Sequence, residues 1–236
     1  MQLSVIIPTL KEEQNITELL PLLQVSLKGY DYEIIVADYS SSDQTAQRAA
    51  ELGAIVLPCR KKCRAQQMNE GAVIAKGKIL YFIHADSRPP IGFLNDIFQA
   101  LDEGFDLGCF RFSFDSSSWL LKINSYFTRF DWEMCRGGDQ TLFVKRTDFN
   151  TLGGYDARLR IMEEYDFMRK ARRELKFKII PKDVVVSARK YEENSYFRVN
   201  LANLVVFVFY NWGASQERLM KLYKKLLKHS KPEVLE

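Results

Sequence analysis

The chain has 236 residues, of which 47% are hydrophobic and 27% are charged; these proportions exclude a disordered or collagen-like protein. Its 34 Lys and Arg residues against 30 Asp and Glu give a formal charge of +4, too small by itself to indicate nucleic-acid binding. A chain of this length needs no disulfide scaffold, and its four cysteines lack the paired spacing of a zinc site. Because Met1–Pro8 predicts a strand and not a signal peptide, we expect a cytoplasmic protein.

The first 85 residues alternate short apolar runs with amphipathic stretches. The predicted strands are Leu3–Ile7, Glu33–Ala37, Ala54–Leu57 and Lys78–His84. The helices between them are predicted on an apolar face from Ile16 to Leu27, over Ala46–Leu52 and over Gln66–Ala75. Thr9 with Glu12, and Ser41 with Gln44, have the spacing of capping boxes at the starts of two helices. This alternation predicts a parallel sheet with helical crossovers.

Beyond residue 105 the pattern is less regular. Strands are predicted over Leu107–Phe114, Thr141–Lys145 and Phe177–Ile180. Helices are predicted over Ser118–Trp132, Glu164–Arg173, Ser195–Asn211 and Ser215–His229. We therefore expect an α/β fold in a single domain spanning residues 1–236. Residues 1–105 would form a nucleotide-binding half, residues 106–190 the remaining wall, and residues 191–236 the C-terminal helices.

Polar and charged residues follow the carboxyl ends of the predicted strands, where an open parallel sheet binds its ligands. They are Pro8-Thr9 with Glu12 after the first strand, Asp38 after the second, the basic segment Arg60–Arg64 after the third, and His84-Ala85-Asp86 after the fourth. Carboxylates at three strand ends and cations at another predict a site for an anionic ligand together with a metal cation.

Several motifs occur in the order found in one known family. They are Val5–Glu12, Asp38 with Ser41–Thr45, Arg64–Ala72, Leu80–Asp86, Gly137–Gln140, Leu152–Tyr155 and Ile161–Asp166. In this order they resemble family 2 glycosyltransferases of the GT-A fold, and in particular a small bacterial subgroup whose metal motif is His-Ala-Asp. The resemblance covers residues 3–175 and, more loosely, the last two helices. It implies a mainly parallel central sheet flanked by helices, with inverting transfer of one sugar from a nucleotide sugar, preferably a UDP-sugar, to a hydroxyl acceptor.

The resemblance also implies which residues bind the donor. They are Pro8, Thr9, Glu12, Asp38, Arg64, His84 and Asp86. Asp38 would accept a hydrogen bond from the uracil imide or hold the ribose, although a turn aspartate would explain it as well. Thr9 and Glu12 have an equally good explanation as helix caps. Arg64 is preferred over its basic neighbours because it lies inside a family motif.

A divalent cation, Mn²⁺ or Mg²⁺, is the cofactor that the resemblance implies. Asp86 would hold it on the diphosphate oxygens of the donor, where it offsets the charge of the departing group. His84 would contact the ribose or diphosphate, or serve as a second ligand for Mn²⁺; a structural histidine remains the alternative.

Inverting transfer needs a base for the proton of the acceptor hydroxyl. The resemblance places it at Glu163-Glu164, where the family usually has Glu-Asp; Glu164 is the expected base and Glu163 the reserve. An acidic helix start stabilised by the helix dipole is the alternative. Asp139 and Gln140, in a glycine-flanked loop, would border the acceptor side.

Three positions depart from the family pattern. Lys11 stands where Asn is common, Tyr39 where a small residue is usual, and Glu164 where Asp is usual. These departures keep open a second interpretation, a nucleotide-sugar-binding or regulatory module that has lost transfer. A nucleotidyltransferase is disfavoured because no glycine-rich phosphate loop follows the first strand.

The C-terminal region raises the question of membrane contact. Leu201–Trp212 is strongly apolar but too short to span a bilayer. Ser215–His229 predicts a basic amphipathic helix, which would either lie on an anionic membrane or pack its leucines on the domain. The first alternative would suit a lipid-linked acceptor and a location at the inner face of the membrane.

Overall fold

The computed structural model describes residues 1–135 and 141–228. Within these residues, one sheet contains the strands β1 (Leu3–Thr9), β2 (Tyr32–Asp38), β3 (Ile55–Pro58), β4 (Ile79–Phe82), β5 (Ser87–Arg88), β6 (Leu107–Phe114), β7 (Leu142–Lys145) and β8 (Phe177–Val186). The α-helices are α1 (Glu13–Ser26), α2 (Thr45–Glu51), α3 (Arg64–Ile74), α4 (Phe93–Asp102), α5 (Trp119–Phe127), α6 (Arg146–Thr151), α7 (Glu163–Ala171), α8 (Arg189–Glu193), α9 (Tyr196–Asn211) and α10 (Gln216–Leu226). A 3-10 turn occupies Glu133–Cys135.

The strands follow the order β3-β2-β1-β4-β7-β6-β8-β5. β1, β2, β3 and β4 are mutually parallel, and β6 is parallel to β8. β7 runs antiparallel to both β4 and β6, so the carboxyl ends of β1, β2, β4 and β6 share one edge of the sheet. The expected α/β fold with a mainly parallel sheet flanked by helices is confirmed.

Two apolar clusters cover the two faces of this sheet. Val5 and Ile7 of β1 point into the first cluster, with α1 and α4, whereas Ile6 points into the second, with α3 and α7. This alternation follows from the two-residue period of a strand. Each fully buried aliphatic side chain contributes about 1.5–3 kcal/mol. The two clusters therefore fix the sheet that carries the polar loops at its carboxyl edge.

The capping boxes predicted for the first two helices are wrong. Thr9 lies in β1, and Glu12 precedes α1 without a side-chain capping bond. Instead, the backbone N–H of Glu12 donates to Thr45 Oγ1 at 2.9 Å, so a neighbouring loop supplies the missing acceptor. At α2, Asp43 Oδ1 accepts from the Thr45 N–H. Ser41 instead donates its N–H to Asp38 at the end of β2. A tertiary partner has replaced the predicted local cap at α1, whereas at α2 the acceptor is Asp43, two residues before Thr45.

Three other element predictions also differ from the structure. No element was predicted over Phe93–Asp102, where α4 lies with a buried face of regular helical spacing. The helix predicted over Ser118–Trp132 ends at Phe127 because the Thr128 hydroxyl donates to the Ser125 carbonyl and accepts from the Phe112 N–H. β8 extends to Val186, beyond the predicted Ile180, because β6 and β5 pair along its length.

The last two predicted helices are confirmed, since α9 begins after Ser195 and α10 after Ser215. Leu219 and Met220 of α10 are buried, and Leu227 packs into a cluster with Val199 and Ala202 of α9. The apolar side of α10 is therefore engaged within the protein. In the part of the chain that the structure describes, no helix is long and apolar enough to cross a membrane.

Candidate active site at the carboxyl edge of the sheet

The ends of β1 and β2 are joined through the carboxylate of Asp38. Its Oδ1 accepts from Thr9 Oγ1 at 2.8 Å and from Ser41 Oγ at 2.5 Å, and its Oδ2 accepts from the Ser41 N–H at 3.0 Å. Asp38 is buried. A carboxylate has about four acceptor positions, so three donors leave capacity for one more. The remaining position on Oδ2 is where a donor from a ligand would bind.

The loop after β1 is held against the loop after β2 by backbone donors. The Lys11 N–H donates to Ser41 Oγ at 2.8 Å, and the Glu13 N–H reaches Asp43 Oδ2 at 3.4 Å. Lys11 adopts a left-handed conformation with φ of 56°, and Ser40 in the opposite loop has φ of 43°. Asn tolerates this region better than Lys, which gives a conformational reason for the residue common in the family. The departure at Lys11 therefore involves backbone strain as well as side-chain chemistry.

Gln67, whose role sequence reasoning did not assign, ties the same two strands together. Its Nε2 donates to the carbonyls of Thr9 at 2.8 Å and Ala37 at 2.7 Å. Pro8 pairs with Ala37 in the buried register of β1 and β2. Pro8 and Gln67 therefore hold the carboxyl ends of β1 and β2 together.

His84 and Asp86 lie in the turn that directly follows β4, and both are partly exposed. The Ser87 N–H closes this turn on the His84 carbonyl at 3.1 Å. Over residues 1–135 and 141–228, no group of three His, Cys, Asp or Glu side chains is arranged to hold a metal ion. His84 and Asp86 thus offer a small number of possible metal-ligand atoms at the strand end where the sequence predicts a metal ion.

The acidic pair at the start of α7 meets His84 and Arg64 across the site. Arg64 Nε donates to Glu163 Oε1 at 2.5 Å, and its Nη2 lies 3.8 Å from Glu164 Oε2. His84 Nε2 lies 3.3 Å from Glu164 Oε1. Glu163 is completely buried, whereas the Glu164 side chain is 16% exposed. Of the two carboxylates, Glu164 is therefore the one that a ligand could reach.

The surroundings shift the pKa values of these groups in different directions. Burial raises the pKa of Glu163, although the Arg64 charge opposes it. Burial would also raise the pKa of Glu164, but the Arg64 charge and the His84 hydrogen bond outweigh it and hold that pKa below its usual range. Burial disfavours protonated His84, yet its hydrogen bond to Glu164 raises the pKa of the imidazole overall. Of the two carboxyls, Glu164 is therefore the one whose pKa shift favours the ionised form.

Asn69 and Gly154 fix the chain in the segment that precedes the acidic pair. Asn69, also unassigned from the sequence, accepts from the Tyr155 N–H at 2.9 Å and donates to the Tyr155 carbonyl at 2.7 Å. Gly154 has φ of +67°, and a Cβ there would lie 2.7 Å from Asn69 Oδ1, so glycine is required. Met162, immediately before Glu163, is left-handed with φ of 71°. The chain is thus held in a strained conformation where it presents the carboxylates.

The other predicted site residues have separate surroundings. Glu12 accepts from Asn15 at 2.6 Å and so faces its own helix. Asp139 and Gln140, predicted on the acceptor side, lie outside the described residues. The structure therefore brings together the Thr9 and Asp38 loop and, separately, the cluster of Arg64, His84 and Glu164.

Comparison with known proteins identifies the family. Residues 4–165 match the model of Glycosyl transferase family 2, which is more than half of the chain. The chain belongs to glycosyl transferase family 2. The motifs that carry the resemblance lie almost entirely within the matched residues, at the strand ends and at the start of α7.

Individual proteins similar to the chain share limited identity with it. A dolichol-phosphate mannosyltransferase of Pyrococcus furiosus is 30% identical over 112 residues, which are 45% of this chain and 32% of the relative. The crystal structure of Staphylococcus aureus TarS 1-349 with UDP-GlcNAc superposes with a TM-score of 0.66 at 18% identity, covering 96% of this chain and 71% of TarS 1-349. Mannosyltransferase PcManGT from Pyrobaculum calidifontis, solved with GDP-Man and Mn²⁺, gives 0.63 at 20% identity, covering 99% and 72%. At these identities the structures support the fold, and the GT-A architecture expected from the resemblance is confirmed.

Proposed function

We propose that the chain transfers a single sugar from a nucleotide sugar, preferably a UDP-sugar, to a hydroxyl acceptor with inversion at the anomeric carbon. The observation that carries this proposal is the Glu164 carboxylate. It is reachable from the site, its pKa is held low, and it is oriented by His84 and Arg64. An ionised, oriented carboxylate at a ligand-binding edge is what general-base catalysis requires.

In the proposed reaction, Glu164 accepts the proton of the acceptor hydroxyl. The acceptor oxygen forms a bond to the anomeric carbon as the bond from that carbon to the donor diphosphate breaks. The electron pair of the broken bond leaves with the nucleoside diphosphate. Glu163 is the reserve candidate for the base, but its complete burial and its bond to Arg64 favour a supporting role.

The residues after β4 fit a divalent cation of the kind that such a donor brings. Mn²⁺ and Mg²⁺ at phosphate sites take one or two protein carboxylates and complete their ligands with phosphate oxygens and water. Asp86 supplies such a carboxylate in the turn after β4. When bound, the cation would neutralise charge on the departing diphosphate. Because His84 Nε2 faces Glu164, we propose Asp86 as the principal protein ligand and His84 mainly as a neighbour of the base.

On the donor side, Asp38 and Thr9 would hold the nucleoside. The remaining acceptor position of Asp38 suits the imide N–H of uracil or a ribose hydroxyl. Relatives of similar fold were solved with UDP-GlcNAc and with GDP-Man, so both nucleotides belong in the test. The name of the Pyrococcus relative gives a reason to include dolichol phosphate among the acceptors.

The test is a donor panel of UDP-glucose, UDP-GlcNAc and GDP-mannose, each incubated with Mn²⁺ or with a chelator. We expect release of nucleoside diphosphate from one donor, dependence on the cation, and an inverted anomeric configuration of the product by NMR. Binding of every donor without turnover would favour the regulatory module, and retention of configuration would contradict the direct displacement.

Asp86→Ala is the variant that isolates the proposed metal ligand. It should bind nucleoside diphosphate equally with Mn²⁺ and with chelator, whereas the unchanged chain should bind more tightly with Mn²⁺. Calorimetry measures both affinities. Asp102→Ala, at an exposed position at the end of α4, serves as the matched control and should preserve the cation dependence.

A further inference from the structure

Two helices far from the donor side expose regular apolar stripes. On α5, Trp119, Ile123 and Tyr126 recur at helical spacing and are exposed, with Trp119 at 68%. On α9, the same spacing exposes Phe197 at 73%, Leu201 and Leu204, and Trp212 is exposed directly after the helix. The buried residues of α9 lie on the opposite side of that helix, so the exposed stripe is not part of the core.

The two stripes are neighbours because α5 and α9 are bonded to each other through Asn124. Its Nδ2 donates to Asn200 Oδ1 at 3.2 Å, and its Oδ1 accepts from the Tyr196 hydroxyl at 2.7 Å. The two helices are therefore in contact through these polar side chains, and the exposed stripes flank that contact. We call this surface the aromatic face; it consists of Trp119, Ile123, Tyr126, Phe127, Trp132, Phe197, Leu201, Leu204 and Trp212.

The segment after α5 extends the aromatic face. Phe130 stacks on Trp132 with ring centroids 5.0 Å apart, and Phe127 lies 6.4 Å from Trp132. Trp132 itself is 56% exposed. Keeping stacked aromatic side chains in contact with water costs free energy unless another apolar phase covers them.

A basic cavity of about 280 Å³ adjoins this face between α5, β6 and β8. Arg111, Lys122 and Arg129 line it together with Tyr126 and Ser125. Arg111 is paired with Asp183 at 2.9 Å. Lys122 and Arg129 form no ion pair with the acidic side chains that the structure describes, and the Arg129 guanidinium lies 3.8 Å from the centre of the Tyr126 ring. The cavity therefore presents two uncompensated cations beside exposed aromatic rings.

We propose that the aromatic face docks on an anionic lipid bilayer, with a phospholipid headgroup phosphate at the cavity of Arg111, Lys122 and Arg129. Trp and Tyr are the side chains that favour the boundary between headgroups and acyl chains. Helices with an aromatic side next to Lys and Arg lie in that boundary and are attracted by anionic lipids. Charge complementarity favours a bilayer over a second copy of the chain. Anionic headgroups would attract these cations, whereas the same cations on a second copy would repel them.

This surface replaces the contact expected from α10. The leucine side of α10 is buried against α9, so only its lysines could touch a membrane. The aromatic face also adjoins the helix that carries the acidic pair, since Phe207 of α9 packs on Tyr165 of α7 at 5.7 Å. Docking would place the acceptor side of the site near the bilayer. The proposal is independent of the sugar-transfer reaction and is tested by binding alone.

The test is flotation of the full chain with phosphatidylcholine vesicles that contain or lack phosphatidylglycerol. We expect binding only when phosphatidylglycerol is present. Trp119→Ser with Tyr126→Ser should lower the apparent partition coefficient about tenfold or more, since these side chains carry the apolar contact. Lys122→Glu with Arg129→Glu should lower it by about tenfold or more as well and should reduce its salt dependence.

Two control variants separate this surface from the alternatives. Val73→Ser with Ile91→Ser removes apolar side chains elsewhere that are even more exposed and should leave binding unchanged. Lys221→Glu with Lys225→Glu reverses charge on α10 and should have the smaller effect of the two charge reversals. Thermal unfolding confirms that each variant is folded.

Three results would overturn the proposal. The first is that Lys221→Glu with Lys225→Glu abolishes vesicle binding while Trp119→Ser with Tyr126→Ser preserves it. The second is a dimer in sedimentation velocity that Trp119→Ser with Tyr126→Ser dissociates, which would make a second copy the occupant. The third is calorimetric binding of inorganic phosphate without any vesicle binding.

Discussion

The two sides of the candidate site are built by different kinds of interaction. On the proposed donor side, neutral hydroxyl and amide donors of Thr9 and Ser41 converge on one carboxylate, that of Asp38. Around the proposed base, Arg64 and the α7 carboxylates interact mainly as charges, with Glu164 at the accessible end. The first arrangement is made by two neighbouring loops and the second by residues up to 99 positions apart.

This difference indicates how each side should respond to change. Hydrogen bonds from neutral donors contribute about 0.5–1.5 kcal/mol each and fix the shape of the donor loops. Charges in a largely buried cluster affect one another strongly and set protonation states. Removal of one charged side chain therefore changes the protonation of the others. We therefore expect donor-side variants to alter nucleotide affinity, and variants of the charged cluster to alter rate, stability and pH dependence.

The largest effect is expected for Glu164→Gln, which keeps the shape of the side chain but removes its basicity. With the donor and acceptor pair identified by the panel, kcat should fall about 10²–10⁴-fold, the range of general-base catalysis. The KM for the donor should change little, because the nucleotide side is untouched. Steady-state kinetics measure both constants.

Glu164→Asp is the matched control because Asp is the usual residue in the family. It should retain most of the activity lost in Glu164→Gln. Equal kcat values for Glu164→Gln and the unchanged chain would instead assign the proton to another group, with Glu163→Gln as the next variant to measure.

Arg64→Ala should be the most destabilising change in the charged cluster, because it leaves the buried Glu163 without its counter-ion. We expect a loss of about 3 kcal/mol in the free energy of unfolding near neutral pH. Burial already raises the pKa of Glu163, so this carboxyl takes up a proton in the folded state and the loss should shrink as pH falls. Urea unfolding at several pH values measures this loss in the free energy of unfolding.

The second variant for this test is Arg64→Ala combined with Glu163→Gln. Removing the charge that Arg64 balances should recover part of the lost stability. Lys61→Ala, at an exposed position in the preceding loop, should change stability by less than about 0.5 kcal/mol. No recovery in the double variant would show that the two side chains act independently.

Ser41→Ala probes the donor side and should have a moderate effect. It removes the hydroxyl that donates to Asp38 and accepts from the Lys11 N–H, at a cost of about 1–2 kcal/mol. Affinity for nucleoside diphosphate should fall while kcat at saturating donor stays close to that of the unchanged chain. Ser42→Ala, the exposed neighbour, is the control, and a reduced kcat with unchanged affinity would contradict the division between the two sides.

His84→Ala should have the smallest effect on the maximal rate and a directional effect on the pH profile. The pKa of Glu164 is lowered, against the effect of burial, by the Arg64 charge and by the His84 hydrogen bond. Removing the imidazole therefore raises this pKa, and the acid limb of kcat against pH should move to higher pH. His84→Gln, which keeps an amide donor, should shift the limb less; an unmoved limb in both would place His84 outside the proton pathway.

Part of the fold could be predicted from local pattern alone. The strand β1 and the helices α9 and α10 have apolar runs or periodic faces together with clear boundaries, and the structure places them where they were expected. The helix α4 was missed although its buried face is regular, whereas the acceptor at the start of α1 could not have been found locally. The Glu12 N–H bonds to Thr45 of a different loop, which no spacing along the chain encodes.

The candidate site divides in the same way. The motif containing Asp38, Ser41 and Asp43 is continuous in the sequence, so its position at a strand end was predictable. The meeting of Arg64 with Glu163, and of His84 with Glu164, depends on α3, β4 and α7 packing around one edge of the sheet. Gln67 and Asn69 show the same limit, since their partners are backbone groups of other elements.

The sequence by itself determined the alternating α/β pattern, the family and the residues that could do chemistry, because these depend on local periodicity and on motifs along the chain. Only the tertiary structure decided that Glu163 is buried while Glu164 is reachable, that His84 faces Glu164, and that α10 turns its leucines inward. Burial and pairing arise from what the other elements place around a side chain, and the helical period of α7 or α10 is the same whichever face the rest of the protein covers.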